Sequence, residues 1–134
     1  MEKLELPAAM PNLGKLVDFA VDFAGKLGFE GEALAEVRLA AEEAIVNVVH
    51  YAYPGTEGAV EVACRGLEGG GMELVITDSG VPFDPTSLPA PDTTLPMEQR
   101  KIGGLGIFMV KKVMSEVKYA RRDGRNVLTL VKRR

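Results

Sequence analysis

Residues 38–54 read RLAAEEAIVNVVHYAYP and complete an apolar-periodic run that begins near Glu32. Leu34, Val37, Ala41, Ile45, Val48 and Ala52 recur at spacings of three and four, so they share one face of a helix. The pattern predicts a helix from Glu32 to Tyr53, ended by Pro54-Gly55. On the opposite face stand Glu36, Glu43, Asn47 and His50. Glu43 and Asn47 are four apart and therefore neighbours. Leu39, Ala40, Val46 and Val49 surround them with apolar groups. A carboxylate so placed can be held as a base, and an amide can ligate a hard cation. Taken alone, the strip also reads as an exposed polar stripe.

Working outward, Leu4 and Leu6 alternate with charged residues, a short strand signal, before Pro7 and Pro11-Asn12 punctuate. Leu16, Val17, Ala20, Phe23, Ala24 and Leu27 mark a first helix over 13–27, stopped by Gly28. Residues 59–67 and 72–77 alternate around a glycine-rich turn at 68–71 and read as a hairpin. Residues 79–102 hold five of the eight prolines and almost no apolar period, so they read as a long functional loop. A helix restarts at 103–114 behind a glycine cluster. Strands over 116–121 and 126–131 then flank Asp123-Gly124, a strong hairpin signal. The order β, α, α, β, β, loop, α, β, β predicts one α+β domain over 1–134. Its architecture is a two-layer sandwich, with helices on one face of a mixed, mostly antiparallel sheet. A doubly wound parallel sheet is not expected.

The composition bounds the function. At 46% hydrophobic and 26% charged, the chain is an ordinary globular domain rather than a disordered one. One Cys excludes an internal disulfide and a Cys-rich zinc site, and one His weakens any triad or multi-His metal centre. No apolar run is long enough to span a membrane, and the acidic start carries no signal-peptide core, so a cytoplasmic protein is expected. Residues 1–99 hold 5 Lys+Arg against 17 Asp+Glu, and residues 100–134 hold 11 against 2. The basic residues of the second segment lie along helix and strand patterns with few aromatics between them. A solvated face therefore explains them better than nucleic-acid binding.

Two further segments carry chemistry. Lys101-Ile-Gly-Gly-Leu-Gly-Ile107 opens a helix, whose free N–H groups and positive dipole favour phosphate, with Arg100 and Lys101 adding charge. It matches neither common phosphate loop, and alone it also reads as a hinge. In Thr77-Asp78-Ser79-Gly80-Val81-Pro82-Phe83-Asp84-Pro85, a carboxylate at a strand end can accept from a base amino group, and Gly80 lets a flat ring lie close. Alone, Asp-Ser-Gly is also good turn chemistry.

Taken together, residues 38–54, 78–85 (DSGVPFDP) and 103–120 (GGLGIFMVKKVMSEVKYA) resemble the Bergerat-fold, histidine-kinase-like ATPases, and most of all their anti-sigma-factor serine/threonine kinase branch. The resemblance implies ATP and Mg²⁺ as cofactors, with Asn47 ligating the metal and Glu43 as general base on the attacking hydroxyl. By the same resemblance, Asp78 reads the adenine amino group with Gly80 beneath the ring. Gly103, Gly104, Leu105 and Gly106 border the phosphates, Arg100 and Lys101 are candidates for the γ-phosphate, and residues 83–102 form a nucleotide lid. His50 is a candidate pocket residue, and Thr129 a candidate for a water-mediated contact to adenine. Sensor histidine kinases usually have Asp-x-Gly-x-Gly where this chain has Asp78-Ser-Gly-Val-Pro82, and they need a phosphoacceptor His on a separate helix pair. The implied activity is phosphorylation of a small STAS-type anti-anti-sigma protein. Sequestration of a sigma factor and a homodimer are further implied possibilities, and no nucleic acid or membrane is involved. The alternative is a non-catalytic ATP-binding module that only sequesters a partner.

Overall fold

Strand alternation becomes a sheet whose rows can be read across it. A computed structural model describes residues 1–87 and 104–134. Its strands are β1 (Glu2–Pro7), β2 (Ala59–Gly66), β3 (Met72–Asp78), β4 (Glu116–Arg122) and β5 (Arg125–Lys132), in the order β1-β2-β3-β5-β4. All four pairings are antiparallel, so among the described residues the sheet has no parallel pair and is antiparallel rather than mixed. Strands joined by short turns pair with their neighbours, and the β2–β3 and β4–β5 hairpins need no crossover. At the second hairpin Asp123 and Gly124 both take positive φ (50° and 76°), the geometry a two-residue hairpin loop requires.

Partners across the antiparallel ladder share a face. One row runs Leu4, Val62, Ile76, Leu128, Tyr119, and the next runs Glu2, Cys64, Leu74, Leu130, Val117. Val62, Cys64, Leu74, Ile76 and Leu130 are almost wholly buried, so this face carries the core. A fully buried side chain of this size is worth about 1.5–3 kcal/mol. A third row on the same face runs Leu6, Val60, Asp78, Asn126, Arg121. The core therefore ends, at one end of the sheet, in two buried polar residues side by side.

Three helices cover that face: α1 (Leu13–Lys26), α2 (Gly31–Tyr51) and α3 (Gly104–Val113). From α1, Leu16, Val17, Ala20 and Ala24 enter the core as the spacing predicts, Val21 joins them, and the expected Phe23 and Leu27 pack against it only partly buried. The buried arc of α2 is wider than the expected single face. Ala40, Ala44 and Asn47 are buried along with Val37, Ala41, Ile45 and Val48, because α2 packs against both α1 and α3 as well as the sheet. Glu36 is also drawn inward, and Lys132 donates to it at 2.8 Å and to the carbonyl of Val113, at the end of α3, at 2.5 Å. In the expected long loop, Pro85–Ser87 form a short 3-10 turn. Asp84 Oδ1 starts it by accepting from Thr86 N at 2.8 Å, the work of a capping carboxylate. The rest of the expected lid, 88–102, lies outside the described residues, as do Arg100, Lys101 and Gly103. Among the described residues no helix is long and apolar enough to cross a membrane.

Candidate functional site

At the end of the third row, β3 and β5 bring Asp78 and Asn126 together, both nearly inaccessible. Asp78 Oδ1 accepts from Gly80 N at 2.9 Å and from Asn126 Nδ2 at 2.8 Å. Asn126 Nδ2 also donates to the Val81 carbonyl at 2.8 Å. Its Oδ1 accepts from Phe83 N at 3.2 Å, Tyr119 Oη at 2.5 Å and Arg121 Nη1 at 3.2 Å. Arg121 Nη1 donates in turn to the Gly80 carbonyl at 2.7 Å. One amide thus ties β3, the loop after it and the β4–β5 hairpin into a single network.

A cleft opens beside this network. Its walls are Ala44, Asn47, Val48 and Ala52 of α2 and the turn after it, Ile76 and Asp78 of β3, Tyr119, Asn126 and Leu128 of the hairpin, and Phe83 and Pro85 of the loop. Phe83 stacks on Tyr51 with ring centroids 5.0 Å apart. The free space is about 20 Å³, room for about one water and not for a purine. Among the described residues, Phe83 and Pro85 form the wall that comes from the loop after β3.

Further along α2 lie the second pair. Asn47 is buried, and its Nδ2 has no hydrogen-bond partner among the described residues. One turn before it, Glu43 is half-buried. Its pKa is raised, first by desolvation and then by the like charge of Glu42. Gly106, in the first turn of α3, comes directly against this carboxylate. A Cβ on Gly106 would lie 2.1 Å from Glu43 Oε2. Close approach of the two helices is therefore what Gly106 permits.

Several expected site residues stand elsewhere. Thr129 pairs with Val75 and Lys118, in a row between those of Leu128 and Leu130. Strand alternation turns it to the sheet face away from the helices and the cleft, which corrects the expected contact. His50 is exposed, with its ring 6.1 Å from that of Tyr51, and it does not line the cleft. The last turn of α2 points it outward. Gly80 meets α2 rather than an open ring site: its Cβ would fall 2.1 Å from the carbonyl oxygen of Ala52, and Val81 N donates to that same oxygen at 2.8 Å. Among the described residues no three His, Cys, Asp or Glu side chains converge as a metal site.

Sequence reasoning passed over Asn126, Tyr119 and Arg121. A signal for the first existed. Asn126, Leu128 and Leu130 alternate, which puts a polar amide on the apolar face of the strand.

Comparison with known proteins agrees with this architecture. The serine-protein kinase RsbW of Bacillus cereus (strain AH820) is 28% identical to the chain over 109 residues, covering 78% of the chain and 68% of the relative. The same figures hold for RsbW of Bacillus anthracis. A crystal structure of the RsbU and RsbW domains of Rv1364c from Mycobacterium tuberculosis superposes with a TM-score of 0.65 at 16% identity, over 99% of this chain and 32% of that one. The mycobacterial sensor histidine kinase MprB superposes with a TM-score of 0.56 at 18% identity, over 98% and 97% of the two chains. These structural likenesses concern the fold. The sequence family of the histidine kinase-like ATPase domain matches residues 6–132, nearly the whole length, and the chain belongs to that family.

Proposed function

We propose that the chain is a single ATPase domain of a cytoplasmic serine/threonine protein kinase. It binds ATP with Mg²⁺ and phosphorylates a small STAS-type anti-anti-sigma protein, and a sigma factor is its sequestered partner. The observation that carries this reading is the α2 pair: a half-buried carboxylate with a raised pKa, one turn from a buried amide whose Nδ2 has no partner among the described residues. The relatives named serine-protein kinase support the reaction class.

The residues fit the ligands. The buried Asn47 amide has an Nδ2 without a partner among the described residues and an Oδ1 of the kind that joins phosphates and water around Mg²⁺. Asn47 would hold the metal through Oδ1, and the metal would neutralise charge on the phosphates. Asp78, with Gly80 behind it, takes the base at the other end of the cleft, once the Phe83–Pro85 wall has shifted. The N-terminus of α3 from Gly104 to Gly106 faces the phosphates, and Arg100, Lys101 and Gly103 precede it in the chain. Glu43 accepts the proton as the partner's hydroxyl oxygen bonds to the γ-phosphorus and the bond to the ADP oxygen breaks. Phosphoryl transfer needs chiefly positioning and charge stabilisation, which this small set of groups supplies.

Incubation with γ-labelled ATP, Mg²⁺ and a STAS-type protein tests the reading. Label on the partner's Ser or Thr supports it. Free phosphate alone, or ATP binding without turnover, replaces the kinase by a module that only sequesters.

A further inference from the structure

We infer that Asn126 is a positioning residue for base recognition: its amide holds Asp78 so that one carboxylate oxygen is presented to a 6-amino purine. The inference rests on the proposed reading of the cleft as a nucleotide site. It starts from hydrogen-bond capacity. Asp78 Oδ1 already receives two donors, Gly80 N and Asn126 Nδ2. Oδ2 receives none among the described residues, and Asp78 lines the cleft. The fold thus saturates one oxygen and leaves the other for a ligand donor.

The network itself fixes the orientation of the Asn126 amide. Turned over, its oxygen would face the Asp78 carboxylate and the Val81 carbonyl, while its NH₂ would face the Phe83 N–H and the Arg121 guanidinium. Acceptors would meet acceptors and donors would meet donors. The amide therefore has two separable halves. The donating half holds Asp78 and Val81. The accepting half gathers Phe83 N, Tyr119 Oη and Arg121 Nη1, which come from the loop and the hairpin.

Asn126→Asp separates them. It keeps the shape and the accepting half, removes the donor, and sets a second carboxylate against Asp78, which turns the first away from its fixed pose. The measurement is the ratio of affinities for ATP and for purine riboside 5′-triphosphate, which lacks only the 6-amino group. Titration calorimetry gives both constants, and thermal melting establishes that each variant is folded. In the wild type the amino group is strongly preferred. In Asn126→Asp the preference falls roughly 10- to 100-fold, the worth of a hydrogen bond to a charged group. Asn126→Ala, which removes both halves without adding charge, gives the same collapse and serves if the Asp variant does not fold. A structural role alone weakens both nucleotides equally, so an unmoved ratio in the folded variants overturns the inference while leaving the nucleotide site standing. A wild type that binds ATP without preferring the amino group overturns the assignment of Asp78 and this inference with it.

Discussion

Asp78 and Asn126 share six hydrogen bonds with each other and with the loop and hairpin around them. On α2, Asn47 lines the same cleft and its Nδ2 has no partner among the described residues, and one turn before it Glu43 is held half-buried with a raised pKa. In the first region every polar group but Asp78 Oδ2 is matched by the fold, so a ligand meets one open acceptor whose direction is already set. The second carries unmet polar capacity, which costs the fold about 1–3 kcal/mol for a buried unpaired group. A ligand arriving there recovers that cost. Recognition and chemistry are thus divided along the cleft, and each prediction below tests the division.

The largest effect belongs to the α2 end. Glu43→Gln keeps size and polarity but loses the proton acceptor, so single-turnover phosphorylation of a partner falls by about 10²–10⁴. Affinity for Mg²⁺·ATP, read by calorimetry, stays close to that of the wild type. A wild-type transfer rate in this variant places the base elsewhere.

Asp78→Asn acts at the other end and reads out as binding. Its Oδ1 still accepts from Gly80 and Asn126, so the local fold is kept, but the free position becomes an NH₂ facing the adenine amino group. ATP affinity falls by about 10²-fold or more, because a site built for a donor is left mispaired. The preference for ATP over GTP shrinks at the same time, since guanine presents an acceptor there. A wild type that binds ATP and GTP equally removes this role from Asp78.

A pair of glycine substitutions contrasts the two ends in stability. Gly80→Ala drives a Cβ to within 2.1 Å of the Ala52 carbonyl, which is backbone, so the end of α2 must shift. Melting should report a loss of about 1–3 kcal/mol, the usual cost of overpacking. Gly106→Ala meets only the far end of the Glu43 side chain, which can rotate, and a helix gains about 1 kcal/mol from Ala over Gly. That variant should melt no lower than the wild type while transferring phosphate more slowly. Equal losses from the two substitutions would erase the contrast.

The two ends also differed in how far the sequence disclosed them. Glu43 and Asn47 are related by one helical turn, and Asp78 ends a strand with clear alternation, so local periods sufficed to find them. The Asp123-Gly124 turn likewise fixed the β4–β5 hairpin and therefore its register. The Asn126 network is different in kind. It depends on β5 lying beside β3, a pairing of residues 48 apart that no local period encodes. Thr129 was misjudged for a related reason: its strand was recognised, but the face it occupies is settled only by its Leu128 and Leu130 neighbours being in the core. Gly80 was identified as special, and its requirement is the contact with Ala52 across the α2–β3 gap, again a tertiary fact.

The smallest expected effect is a dependence of stability on pH, and it bears on what holds Glu43. Burial, with Glu42 adding to it, raises the Glu43 pKa above its ordinary carboxylate value, so the folded state holds that proton more tightly than the unfolded chain does. The stability this group contributes is fully present below the unfolded pKa and is lost as pH rises through the raised folded value. Gln carries no charge at any of these pH values. In nucleotide-free protein, Glu43→Gln should therefore melt slightly higher than the wild type at neutral pH, and the difference should close as the medium is acidified below the ordinary carboxylate range. The first turn of α3 offers an opposing influence, because its positive end favours an ionised carboxylate. If that dipole outweighed burial, the wild type would be the more stable protein at neutral pH and its advantage would vanish in acid. Melting curves for both proteins across that range distinguish the two signs. The first outcome marks Glu43 as a carboxylate held at a cost to the fold; the second makes it a capping group for α3, satisfied by the fold as Asp78 is.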